Sequence, residues 1–315
     1  MRPPRRARSG AWRARSAPRG ACSWAWRMGA GLLLASLAAV VVAAVSPARA
    51  AFEREWLDAR RAVTVGAVEP WAARLLTVSV PERAGPRWSF LLSGGELFAL
   101  REARGASAEA ALQGARGRAE VGVSLFGSPL YMERVVALGV AHRASDSVVV
   151  GARARALGIA ADGVPDAWAL AVDGSVAARV AGRFVIGGRF ENAGGARIGE
   201  SPVASPAVLG AALALDGMTL EAGARVEEGF DAAPLLSVEA ALGGRLAVRA
   251  FADGGSGTFG LGLGVDAGRA PGGRSGASAV AGRAGAGPSG PALDAAWWWH
   301  PELGVSSCVS VGFRR

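Results

Sequence analysis

Residues 183–191 read Arg-Phe-Val-Ile-Gly-Gly-Arg-Phe-Glu, and residues 217–227 read Gly-Met-Thr-Leu-Glu-Ala-Gly-Ala-Arg-Val-Glu. Phe184, Ile186, Gly188 and Phe190 alternate with Arg183, Val185, Gly187, Arg189 and Glu191. In the second run Met218, Leu220, Ala222, Ala224 and Val226 alternate with Thr219, Glu221, Gly223, Arg225 and Glu227. Successive side chains of a strand point to opposite faces, so period two predicts strands with one apolar and one charged face.

Outward from these runs the same alternation recurs. Val121, Val123 and Leu125 stand against Glu120, Gly122 and Ser124, and Phe259, Leu261, Leu263 and Val265 against Gly260, Gly262 and Gly264. Turn signals lie between the runs at Gly114–Gly117, Gly127–Pro129, Asp216-Gly217, Gly243-Gly244 and Asp253–Gly255, as short hairpins require. No interval has room for a crossover helix, which predicts an up-and-down antiparallel meander. Strands are expected at 74–92, 95–113, 116–126, 131–143, 146–160, 167–181, 183–191, 206–215, 217–227, 234–242, 245–252, 257–267, 292–300 and 304–314. That is about 14 strands, with 12 the alternative because the stretch before residue 115 is poorly patterned and bacterial barrels take even numbers.

Alternation alone also fits a soluble β-sandwich. Strand lengths near a tilted membrane span, an apolar face that runs to the last residues, and aromatics near strand ends favour an all-β, closed transmembrane barrel. Trp168, Phe190, Trp297, Trp298 and Trp299 are the expected interface girdle, with Tyr131 beside them. Glu120, Arg183, Arg189, Glu191, Glu221, Arg225 and Glu227 are the expected lumen-facing residues. Their mixed signs suit either a hydrated pore or an ion-paired, closed lumen.

The flanking segments have other characters. Residues 1–50 combine an arginine-rich, acid-free start, the apolar run Met28–Val45 and Ala48-Arg49-Ala50, the layout of a secretory signal peptide. Residues 51–73 are expected to be a periplasmic lead-in or plug, and 74–315 the barrel. Ala193–Pro206 is polar and turn-rich, and is expected to be an external loop. Residues 268–291 form a Gly/Ala/Ser/Arg tract too poor in large apolar residues to order itself, placed on the periplasmic side.

Charge excludes some functions. Nine of the 35 basic residues fall within 1–50 and none of the 26 acids does, leaving 26 of each sign beyond the leader. Nucleic-acid binding needs a basic face in the folded part, and no such excess remains. After the leader Cys308 is the one cysteine, so no intrachain disulfide is expected. His142 and His300 are the only histidines. Neither has a nucleophile and orienting group beside it in sequence, and two histidines with one cysteine make no metal set. No enzyme activity, metal or cofactor is expected. Gly260, Gly262 and Gly264 alternate inside a strand, and read as close packing at the lumen wall.

The closing residues carry a family likeness. Leu293-Asp294-Ala295-Ala296, Trp299-His300-Pro301-Glu302-Leu303-Gly304 and Val309-Ser310-Val311-Gly312-Phe313-Arg314 resemble the last hairpin of PorV/PorQ-like barrels, within the wider FadL-like group, and Ser237–Ala252 resembles the preceding hairpin. The resemblance implies a fourteen-stranded barrel in the outer membrane of a Gram-negative bacterium, bounded by outer-membrane lipid and inserted by the barrel-assembly machinery. It implies either transport of small hydrophobic molecules or a non-transporting scaffold for a secreted protein. The chain departs from the family in ending on Arg314-Arg315 beyond Phe313, and in lacking an Asn-Pro-Ala segment near the start of the mature chain.

Overall fold

The computed structural model describes residues 87–100, 103–215, 217–242, 245–266 and 290–314. The expected signal peptide, the lead-in segment and residues 268–289 of the Gly-rich tract lie outside them. Fourteen strands pair antiparallel, each with its sequence neighbours, and close into a barrel. They are β1 (Arg87–Glu96), β2 (Arg104–Gln113), β3 (Gly117–Ser128), β4 (Tyr131–Ser145), β5 (Val148–Ala161), β6 (Val164–Ala181), β7 (Phe184–Phe190), β10 (Ala207–Leu215), β11 (Met218–Val226), β12 (Ala233–Leu242), β13 (Leu246–Asp253), β14 (Thr258–Asp266), β15 (Gly290–His300) and β16 (Gly304–Arg314). The two short strands β8 (Arg197–Ile198) and β9 (Ser201–Pro202) form a separate hairpin between β7 and β10.

The barrel closes where β1 meets β16, in register from Ser89↔Arg314 to Glu96↔Ser307. The seam leaves no unpaired strand edge, the condition for a sheet whose outer face meets hydrocarbon. An even strand count puts both ends of the barrel chain at one rim, the terminal rim. Short turns join strands there, with the long connection between β14 and β15 as the exception. The opposite, loop rim carries the longer connections 97–103, 191–206 and 227–232.

The outer face is apolar from rim to rim. Val121, Val123 and Leu125 on β3, Val136, Leu138 and Val140 on β4, Leu261 and Leu263 on β14, and Val309 and Val311 on β16 are all exposed. Outward aromatics gather near both rims: Trp88, Phe90, Phe184 and Phe313 towards the terminal rim, Trp168, Phe259, Trp297 and Trp299 towards the loop rim. Two of the expected girdle rings lie over glycines. Trp168 pairs with Gly158 and Phe190 with Gly174, and a Cβ at either glycine would fall within 2.7 or 2.2 Å of the facing ring. The missing side chain is what lets each aromatic lie flat on the wall.

Three expectations need correction. Residues 74–86 of the first expected strand lie outside the described residues, and its described part runs on to Glu96 instead of 92; the second strand begins at Arg104 and not at 95, because Leu97–Leu100 is an apolar loop in which Phe98 and Ala99 have φ of 56° and 53°. Gly290 and Pro291, placed in the Gly-rich tract, open β15. Trp298 is no girdle residue. It is 4% exposed, because alternation along β15 turns Trp297 and Trp299 outwards and the ring between them inwards.

Candidate functional site: the barrel lumen

The inner wall divides along its axis. On β3, β5 and β15 the charged inward residues lie nearer the terminal rim and the large apolar ones nearer the loop rim, whereas β7, β11 and β13 carry Arg189, Arg225 and Asp253 towards their loop-rim ends. Along β3, Arg118 and Glu120 precede Phe126; along β5, Arg153 and Arg155 precede Leu157 and Ile159; along β15, Asp294 precedes Ala296 and Trp298.

The charged part is a chain of ion pairs. Arg118 reaches Glu109 at 2.8 Å and Glu120 at 3.0 Å. Asp173 takes Arg153 at 2.9 Å on one oxygen and Arg155 at 2.6 Å on the other. Arg249, 2% exposed, donates through Nε to Glu239 at 2.6 Å and through Nη1 to Asp294 at 2.9 Å. The strand between Arg249 and Asp294 is β14, and it presents Gly262 and Gly264 to them. Inward side chains at those positions would stand between guanidinium and carboxylate, so the alternating glycines are what let a charge pair bridge two strands that are not neighbours. Buried charges persist only when paired and hydrogen-bonded, and the three clusters meet that condition.

Of the seven expected lumen residues, Glu120, Arg189 and Glu191 come together with Arg118, Arg153 and Asp173 around one recess of about 40 Å³. Arg189 lies 3.6 Å from Glu191, which is 3.9 Å from Arg155. Glu221 accepts a hydrogen bond from Ser237 on the next strand, and Arg225 reaches Asp253 at 3.2 Å. Two stand elsewhere. Arg183 is exposed in the turn between β6 and β7, and Glu227 lies just past β11 in the loop-rim connection. Sequence reasoning missed Glu109, Arg118, Arg153, Arg155, Asp173, Glu239 and Arg249. Its signal was available in the Arg153-Ala154-Arg155 spacing, which puts both guanidinium groups on one face.

The apolar part is built by connections that fold into the barrel. Leu97 joins Trp298, Ala296 and Cys308, with Phe98, Phe126 and Phe251 packed against them. Across the lumen Ile198 and Val203 pack against the inward side chains Val135, Leu157 and Ala171, with Ile159 at the edge. Ala193–Pro206, expected as an external loop, lies at the loop rim, and its hairpin turns Ile198 and Val203 inwards.

Asn192 holds that hairpin in place. It is 1% exposed with φ of 51°, and four of its hydrogen bonds fix the loop. Its backbone N–H donates to Asp173 at 2.9 Å. Its side-chain amide donates to the Val203 carbonyl at 2.9 Å and to Ser205 Oγ at 3.0 Å, and its Oδ1 accepts from the Ala196 N–H at 2.7 Å. Asp173 thus anchors both the ion-pair chain and the loop above it. Of the histidines, His142 is exposed, and His300 Nδ1 accepts from the Glu302 and Leu303 N–H groups in the last turn.

The sequence matches no family model and none of the curated proteins. Among solved structures it is similar to the CymD monoaromatic hydrocarbon channel, at 10% identity and a TM-score of 0.49 over 79% of this chain and 91% of that one. It is similar to the Ralstonia pickettii toluene transporter TbuX, at 11% identity and 0.47 over 79% and 92%. A third similarity is to the Acinetobacter baumannii outer membrane protein Omp33, at 13% identity and 0.45 over 73% and 99%. The barrel assignment stands on this chain's own strand pairing.

Proposed function

We propose that this chain is an exported outer-membrane β-barrel that takes small hydrophobic molecules from the loop-rim side and passes them across the membrane unchanged. The observation that carries the reading is the apolar inner surface near the loop rim, where Leu97, Phe98, Phe126, Phe251 and Trp298 pack together and Ile198 and Val203 of the inward hairpin pack against Val135, Leu157 and Ala171. A lumen that served only small ions would gain nothing from burying that surface. The apolar outer face with aromatics near both rims supports a membrane setting. Long connections opposite the chain ends support an orientation with the terminal rim in the periplasm. The ion-paired part of the lumen contributes few mobile charges, so ion conductance is expected to be low while apolar solutes cross. The scaffold alternative has no comparable observation in its favour.

Purified protein in proteoliposomes tests the proposal by flux of a hydrophobic naphthylamine dye. Uptake above that of empty vesicles is expected, with quenching of tryptophan fluorescence as the dye meets Trp298. Flux equal to empty vesicles from a barrel that is heat-modifiable on gels would overturn transport and leave the barrel standing.

A further inference from the structure

Among the described residues the two rims carry opposite charge. At the terminal rim Arg116, Arg183 and Arg245 stand exposed in turns, and Arg87, Arg143 and Arg179 lie within a few residues of strand ends. Asp146 and Asp266 are the acids at that rim among the described residues. In the described loop-rim connections Asp162, Glu200, Glu227, Glu228, Asp231 and Glu302 outnumber Arg197. The strand-end pairs Glu96–Arg104 and Arg134–Asp166 cancel there. The chain beyond residue 50 is neutral in sum, so this is a separation of charge along the barrel axis and not an excess.

We propose that the terminal rim is a docking surface for anionic phospholipid headgroups. The turn arginines lie just beyond the outward rings Trp88, Phe90, Phe184 and Phe313. Aromatic rings of that kind sit at the headgroup level of a bilayer, which puts Arg116, Arg183 and Arg245 at the level of the phosphates. Guanidinium forks match phosphate oxygens bidentately, and each arginine close to an anionic surface adds attraction that salt screens. The attraction follows from the net sum at the rim, whichever acid a given guanidinium also faces. Among the described residues, the turns that carry these arginines are two or three residues long, so the guanidinium groups stand at one level, as a plane of headgroups requires. The inference rests on the membrane half of the proposed function and not on its transport half.

The test is lipid retention by the whole barrel, purified in mixed micelles of equimolar phosphatidylglycerol and phosphatidylcholine and read by native mass spectrometry. Wild type is expected to retain phosphatidylglycerol over phosphatidylcholine by about fivefold at low salt, with the preference shrinking as salt is raised. The triple variant R116A/R183A/R245A is expected to lose most of it, and R116K/R183K/R245K to keep it, because charge is conserved and the turns are exposed. Equal retention of the two lipids by a wild-type barrel that is heat-modifiable overturns the proposal alone. A wild-type protein that forms no heat-modifiable barrel overturns it together with the membrane reading.

Discussion

The two halves of the lumen solve one problem by opposite means. Towards the terminal rim, strands supply long charged side chains that fill space by pairing, as in Arg249 between Glu239 and Asp294. Towards the loop rim, the strands supply medium-sized apolar residues, and connections fold inwards to complete the packing, as Ile198 and Val203 do over Leu157. The first half is complete within the sheet. The second depends on loops, so under the proposed transport it is the half that would open to admit a solute while the barrel stays closed.

The sharpest way to break this comparison is Arg249→Ala, which leaves Asp294 buried and Glu239 half-buried without their cation and is expected to cost about 3–5 kcal/mol. The urea midpoint of the refolded barrel would measure it, and a loss near zero would mean that the belt is hydrated. Next comes Trp298→Ala, where the emptied site in the apolar half is expected to cost about 3 kcal/mol. Trp297→Ala on the outer face should cost clearly less, and equal losses would contradict the inward placement of Trp298. Asn192→Ala removes three hydrogen bonds from the inward hairpin and is expected to cost about 1–3 kcal/mol. It should also speed dye flux, because the loop and not the wall is loosened; slower flux would place the hairpin outside the path. The smallest effect is expected from Arg225→Ala. Its partner Asp253 is buried but the guanidinium is 39% exposed, so water can replace the pair at a cost of about 1 kcal/mol or less.

Most of the barrel was legible because its outer face is monotonous. From residue 116 onwards each strand alternates cleanly, and expected and observed limits differ by a few residues. The second strand was started too early because Leu97-Phe98-Ala99-Leu100 looks like strand by composition. The left-handed backbone of Phe98 and Ala99, which composition does not reveal, makes it a loop. The inward course of 191–206 was hidden for a related reason. Glycine, serine and proline read as exposed, whereas Asn192 satisfies the loop's polar groups internally and lets two apolar residues decide its position. Trp297-Trp298-Trp299 misled by identity: three equal residues look like one feature, but period two divides them between faces. The ion-pair belt was only half read because Asp173, Arg249 and Asp294 find their partners through pairings between strands.

The seam between β1 and β16 joins residues more than two hundred positions apart, and this sets the order of assembly. Contacts so distant in sequence form late, since the loop they close must first be ordered. Every hairpin from β2 to β15 can form from neighbours alone, yet the sheet keeps two open edges until its last strand arrives. Removing β16 would therefore do more than shorten the wall: it would expose β1 and β15 together as unpaired edges, each a template for another chain. A chain stalled short of Arg314 should accumulate as an aggregating intermediate rather than as a smaller barrel.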